Sequence, residues 1–338
     1  MKAYVMSGPG IASIQEIAEP TIGDYEARVD MLVCGVCSST DRMLRSGTFR
    51  GGVSYPSILG HESVGRVVEV GSRVRNISLG QLVTRCSAYS WDAPPLAMHW
   101  GGFAEQGVVL DRHAFVDDRP KEEVRDNFAH VVFDAGVSAE DISLGISLSE
   151  TWSVAANIPM VDRVVGVNGT GIAGLSFVLF ARLLGASQVI CVGRRRDRLR
   201  LAQTLGATEV ALAGREAKEL FDDLGGAEVV LDASGNATAI GEAYRWVRDE
   251  GLLAIYSSPE EDVPLNVLGG PRNAEVVVPR PNEAAVMKQV VKMLEAGVIP
   301  RETFLSARVS LADIEVAFEA IAAGAVVKAL IGLSGEPI

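Results

Sequence analysis

Two short stretches bring together side chains able to hold a metal. Cys34-Gly-Val-Cys37-Ser-Ser-Thr-Asp41 supplies thiols, hydroxyls and a carboxylate, and Gly60-His61-Glu62 adds an imidazole and a second carboxylate. Thiolate and imidazole are natural zinc ligands, and a catalytic zinc needs about three protein donors and one open position. By itself the C-x-x-C would equally suit a redox pair or part of a zinc knuckle, and an isolated His-Glu is usually structural. No second C-x-x-C completes a four-cysteine site. The β-rich surroundings do not suit a thioredoxin-type pair, which sits at the start of a helix.

A third stretch points to different chemistry. Gly169, Gly171 and Gly174 make a G-x-G-x-x-G between the apolar run 164–167 and a helical pattern at 172–184, and the strand 188–192 closes a βαβ unit. The glycines allow a tight turn, approach of a pyrophosphate to the backbone, and close packing of helix on strand. The helix start at Ile172 offers free N–H groups and a positive dipole end to phosphates. An NAD site wants an acid at the end of the second strand. Here Gly193 stands there, followed by Arg194, Arg195 and Arg196. Loss of the acid removes repulsion of a 2′-phosphate, and arginine forks bind such a phosphate bidentately. Basic residues are unfavourable at a helix N-terminus, so three together need a reason, although one of them can be a plain solvated helix start. The expected cofactor is NADP(H) rather than NAD(H).

These groups need a scaffold. At 338 residues, with 48% apolar content, the chain suits two domains with proper cores. A net charge of −12 argues against nucleic acid or an anionic membrane as partner. No run is long enough to span a bilayer, Met1-Lys2 leads straight into strand-like residues, and four cysteines make no disulfide framework. A cytoplasmic setting is expected. The first half reads as strands at 3–6, 13–16 and 27–33, then Gly- and Val-rich strand after residue 57, with helical patterns near 121–130 and at 139–156. Glycines recurring among valines suit a small twisted antiparallel barrel. From 164 onward strands (209–211, 228–232, 252–256, 274–278) alternate with helices (197–205, 215–224, 237–247). This predicts an α/β fold with a doubly wound parallel sheet. A tail of helix, strand, helix and strand (283–296, 304–309, 311–323, 327–333) is expected to pack back on the N-terminal half.

Together, C-G-V-C, ILGHESVGRVVEVG and the tail LADIEVAFEAIAAGAVVKALIGL resemble the zinc-containing medium-chain dehydrogenase/reductase family of alcohol and polyol dehydrogenases, over essentially the whole chain. The resemblance implies a GroES-like β-barrel catalytic domain (1–148, completed by 285–338) and a Rossmann dinucleotide-binding domain (149–284). It also implies interconversion of a small-molecule alcohol with a ketone or aldehyde by hydride transfer, in a homodimer or homotetramer, with 275–279 as a candidate edge strand. Carried over by position, Cys37 and His61 would be zinc ligands and Glu62 would coordinate or support the metal. Ser39 or Thr40 would be the hydroxyl that relays the proton, with Asp41 the acid beside it.

Two departures stand out. Cys86 is the only cysteine between residues 38 and 190, so no structural zinc is expected. The third catalytic ligand is displaced, because Gly145 or Ile146 occupies its position and Glu150 lies a helical turn further on. The metal set is therefore Cys37, His61 and Glu62, or Cys37, His61 and Glu150, or zinc is absent. The corresponding alternatives are a zinc-free NADPH-dependent reductase of an activated C=C bond and a non-catalytic NADPH-binding protein. The loop 89–100, with Trp91, Met98, His99 and Trp100, is a candidate pocket wall. His113 and His130 have no motif around them and read as core or surface residues.

Overall fold

The computed structural model describes residues 1–88, 100–122 and 130–334, and the backbone of 97–98. Contacts divide the chain into one unit of Met1–Ile146 with Val291–Ile338 and a second of Ser147–Val290. Among the described residues no helix is long and apolar enough to cross a membrane.

The first unit is mainly antiparallel. Its strands are β1 (Lys2–Gly8), β2 (Ile11–Glu16), β3 (Glu26–Gly35), β4 (Ser57–Ile58), β5 (Glu62–Val70), β6 (Leu82–Thr84), β7 (Ala97–Met98), β8 (Gln106–Leu110) and β9 (Val132–Phe133). Helix α1 (Thr40–Ser46) follows β3, α2 (Arg112–Asp118) follows β8, and α3 (Ala139–Ala155) follows β9. Tyr4, Met31, Leu44, Leu59 and Phe103 fill the core with Phe318 from the tail. The β3–β5 register sets Gly35 opposite Glu62 and Cys34 opposite Ser63. The chain therefore leaves β3 toward Cys37 at the level where it enters β5 after His61.

The second unit is the parallel sheet. Strands β10 (Val164–Asn168), β11 (Gln188–Gly193), β12 (Glu209–Leu212), β13 (Ala227–Asp232), β14 (Val247–Ile255) and β15 (Glu275–Val277) lie in the order β12-β11-β10-β13-β14-β15. Helices α4 (Ile172–Leu183), α5 (Arg196–Thr204), α6 (Arg215–Leu224) and α7 (Ala237–Tyr244) connect them. The expected helix 237–247 ends early, because Val247 pairs with Ala227 as the start of β14 and Trp246 stacks on Phe221 at 5.0 Å. The tail runs through α8 (Glu283–Glu295), α9 (Arg301–Phe304), β16 (Leu305–Ser310), α10 (Ile314–Ala322) and β17 (Lys328–Gly332). β17 pairs antiparallel with β3, and the sheet order in the first unit is β16-β17-β3-β5-β6-β9, with β8 also on β3.

The expected helix at 121–130 falls largely on residues outside those described, whereas α2 was unforeseen. Its cap explains it: the Asp111 carboxylate accepts from the amides of Ala114, Arg75 and Asn76 at 3.1, 2.7 and 2.7 Å. Burial opposes the Asp111 charge, but these amides outweigh it and hold the carboxyl below its ordinary range. Its stabilising effect is therefore fully present above the ordinary carboxylate pKa and is lost as pH falls through the folded value. Asp111→Ala is expected to destabilise the first unit by about 3–5 kcal/mol at neutral pH. Urea unfolding should show this gap to the wild type narrowing in acid; a gap independent of pH would count against it.

Candidate metal and dinucleotide sites

Cys37 leaves the end of β3 in a turn that α1 immediately follows. The Cys37 amide donates to Asp41 Oδ2 at 2.8 Å, and the Thr40 amide points at the Cys37 sulfur at 3.4 Å. Asp41 is wholly buried, and its other oxygen lies 3.5 Å from His61 Nδ1. It thus fixes the Cys37 backbone and sets a negative charge beside the His61 ring. Gly60, at φ +93°, permits the turn into His61, where a Cβ would strike Phe103 at 2.9 Å. The Arg85 guanidinium donates to the His61 carbonyl at 2.9 Å and the Ser143 hydroxyl to the Glu62 carbonyl at 2.7 Å. The Trp100 ring covers His61, with centroids 5.0 Å apart.

One potential ligand atom each from Cys37, His61 and Glu62 lie within 4.8 Å of one another, the only such group among the described residues. Donors of a tetrahedral zinc stand roughly 3.5 Å apart, so the trio could close on the ion through small side-chain shifts. Burial would lower the His61 pKa, but the Asp41 carboxylate and the Cys37 side chain beside it raise it to about 10. The residues present fit zinc. Gly145 and Ile146, the two candidates for the third-ligand position, are both buried, and the Glu150 carboxylate accepts from the Tyr256 hydroxyl at 3.0 Å. Ser39 is exposed and Thr40 half-buried.

In the second unit the glycines divide their work. Gly169 has φ +120°, and a Cβ on it would meet the Ala233 carbonyl at 2.8 Å. A Cβ on Gly174 would lie 2.1 Å from the Gly169 carbonyl oxygen, whereas one on Gly171, which caps α4, meets nothing within 4 Å. The helix start at Ile172 is thus open to a phosphate. Gly193 ends β11, and a Cβ there would lie 2.5 Å from Thr170 Cγ2. Arg195 forks onto Asp197 at 3.1 and 2.7 Å, and Arg196 reaches Glu216 at 3.3 Å. Arg194 is exposed and, among the described residues, has no hydrogen-bond or ion-pair partner.

Comparison with known proteins matches residues 23–117 to the alcohol dehydrogenase GroES-like domain and residues 173–297 to the zinc-binding dehydrogenase domain. The chain belongs to the zinc-containing medium-chain dehydrogenase/reductase family. Relatives include the sorbitol dehydrogenase of Bacillus subtilis, 29% identical over 79% of this chain and 78% of that protein. The L-threonine 3-dehydrogenase of Caldanaerobacter subterraneus is 25% identical over 79% and 78%. An NADP-bound structure of a Sinorhizobium meliloti protein assigned to the zinc-binding dehydrogenases superposes with a TM-score of 0.80, at 25% identity over 98% of each chain. This member of the family is therefore an oxidoreductase built from a GroES-like domain and a Rossmann-type parallel sheet.

Sequence reasoning missed Lys328, the first residue of β17, which is 1% exposed and forms a buried ion pair with Glu62. Burial would lower its pKa, but Glu62, Cys37 and Asp41 hold it above its ordinary value. Gly35 makes room for the pair, since a Cβ there would meet Glu62 Oε2 at 2.4 Å and Lys328 Cε at 3.0 Å. The signal was a single charge within the apolar run 327–333. Of the candidate pocket wall, Trp91 and His99 lie outside the described residues, and only Trp100 can be placed.

Proposed function

We propose that the enzyme is an NADP(H)-dependent oxidoreductase that interconverts an alcohol with a ketone or aldehyde, and that Cys37, His61 and Glu62 hold its zinc. The observation that carries this reading is the convergence of those three donors in one unit, while the other presents a glycine turn and the uncommitted Arg194. Zinc bound there supplies a Lewis acid for the carbonyl or alcohol oxygen, and the nicotinamide supplies or accepts the hydride. Asp41 holds the Cys37 backbone and places its charge beside the imidazole, Lys328 balances the Glu62 charge, and Thr40 rather than exposed Ser39 moves the hydroxyl proton. Reduced NADP as reductant favours the carbonyl-reducing direction. The B. subtilis relative is named for sorbitol and the C. subterraneus relative for L-threonine, so a small hydroxylated substrate suits this chain too. β15 is an edge strand with Val276 exposed, as is Val278 just beyond it, and edge-to-edge pairing there would give a homodimer or homotetramer. A panel of ketones and aldehydes, followed by loss of reduced-nicotinamide absorbance, tests the reading; no turnover of any of them would refute it.

A second reading, metal-free reduction of an activated C=C bond, is favoured by the absence of a donor side chain at Gly145 and Ile146, the candidates for the third-ligand position. Zinc content decides between them.

Cofactor choice has a sharp expectation. Arg194→Ala should weaken NADPH binding by about 1–3 kcal/mol, roughly five- to 150-fold, and leave NADH unchanged. Arg196→Ala should do less, because Glu216 already occupies that guanidinium. Titrations of both cofactors check this, and a wild type that prefers NADH would overturn it.

A further inference from the structure

The pair Glu150 and Tyr256 has no part in the mechanism above. Tyr256 is the first residue beyond the carboxyl end of β14, where its amide donates to the Asp232 carbonyl at 3.0 Å. Its ring meets Phe177 of α4 edge-on, at 5.3 Å. Its hydroxyl donates to Glu150 Oε2 at 3.0 Å, and both side chains are half-buried. A glutamate is thus held by a tyrosine at the ligand-binding edge of a parallel sheet.

The sheet order says which part of a dinucleotide reaches it. The topological switch lies between β10 and β13, and a dinucleotide lies across the carboxyl ends of the strands at such a point. The pyrophosphate belongs at the Gly169–Gly174 turn, and Gly193 and Arg194 mark the adenosine side at the end of β11. The other mononucleotide then lies over β13 and β14, on the side where Tyr256 stands. Oxidised nicotinamide carries a positive charge that the reduced ring lacks, while the phosphates are the same in both. A fixed carboxylate at that end therefore distinguishes the two redox forms.

We propose that Glu150, held by Tyr256, faces the nicotinamide end of the bound dinucleotide and binds the oxidised form more tightly than the reduced form. The proposal rests on the dinucleotide reading of this unit. By favouring the oxidised product, the pair makes the bound cofactor a stronger hydride donor.

The test is a set of dissociation constants for NADP+, NADPH and adenosine 2′,5′-bisphosphate, which probes the adenosine half alone. They are measured on wild type, Glu150→Gln and Tyr256→Phe. Glu150→Gln should raise the Kd for NADP+ about three- to tenfold relative to that for NADPH and leave the bisphosphate unchanged. Tyr256→Phe, which keeps the ring, should shift the ratio the same way by less. An unchanged ratio, or equal weakening of all three ligands as a packing defect would give, overturns the proposal. So does loss of zinc from Glu150→Gln, which would return that residue to the metal. A wild type that binds only NAD+ and NADH defeats the 2′-phosphate reading alone, and the ratio taken with that pair then decides. Binding of no dinucleotide defeats both.

Discussion

Cys37→Ser, purified without chelator, is expected to carry little zinc and to lose about a thousandfold or more in turnover. Cys37 is the sole soft donor of the cluster, and on the proposed zinc reading losing the Lewis acid would forfeit several kcal/mol of transition-state stabilisation. The fold should survive, because the side chain is only half-buried and it is the Cys37 backbone amide that donates to Asp41. Glu62→Gln should lose less zinc, since thiolate and imidazole remain. Elemental analysis beside steady-state rates checks both variants. Fully active wild type with no metal would remove the Lewis-acid mechanism and promote the C=C reductase.

Lys328→Met is expected to cost about 3–5 kcal/mol of stability in the metal-free protein, because it leaves Glu62 buried without its counter-charge. Adding Glu62→Gln should recover much of the loss, as the pair is then replaced by neutral groups. Denaturant unfolding of the two single variants and the double variant closes the cycle. If Lys328→Met were as stable as wild type, the ion pair would have no structural role.

The chemistry-bearing motifs were legible because each is local. Cys37, His61 and Glu62 sit in short strings, and the glycine turn lies between a strand and a helix whose periods differ. The α/β alternation from residue 164 gave nearly every strand and helix, since parallel strands buried on both faces read as continuous apolar runs. What stayed hidden depends on distant pairing. Nothing near Lys328 points to Glu62; only the β17–β3 and β3–β5 ladders bring them together. Glu216, which occupies Arg196, lies on the following βα unit and was equally invisible. Asp41 was read as a neighbour of the hydroxyl, whereas the start of α1 at Thr40 turns it back toward Cys37 and His61. The helix α2 was overlooked because seven residues carry too little periodicity without recognition of the Asp111 cap.

The contact between Gly193 and Thr170 bears on how this chain could change its diet of cofactor over generations. An aspartate at Gly193 is the obvious single step toward NAD(H), yet its Cβ would collide with Thr170 inside the glycine turn itself. The Thr170 side chain has to turn aside to admit it, so positions 193 and 170 are coupled: on the NADP(H) reading, a smaller side chain at 170 eases the exchange of one dinucleotide for the other.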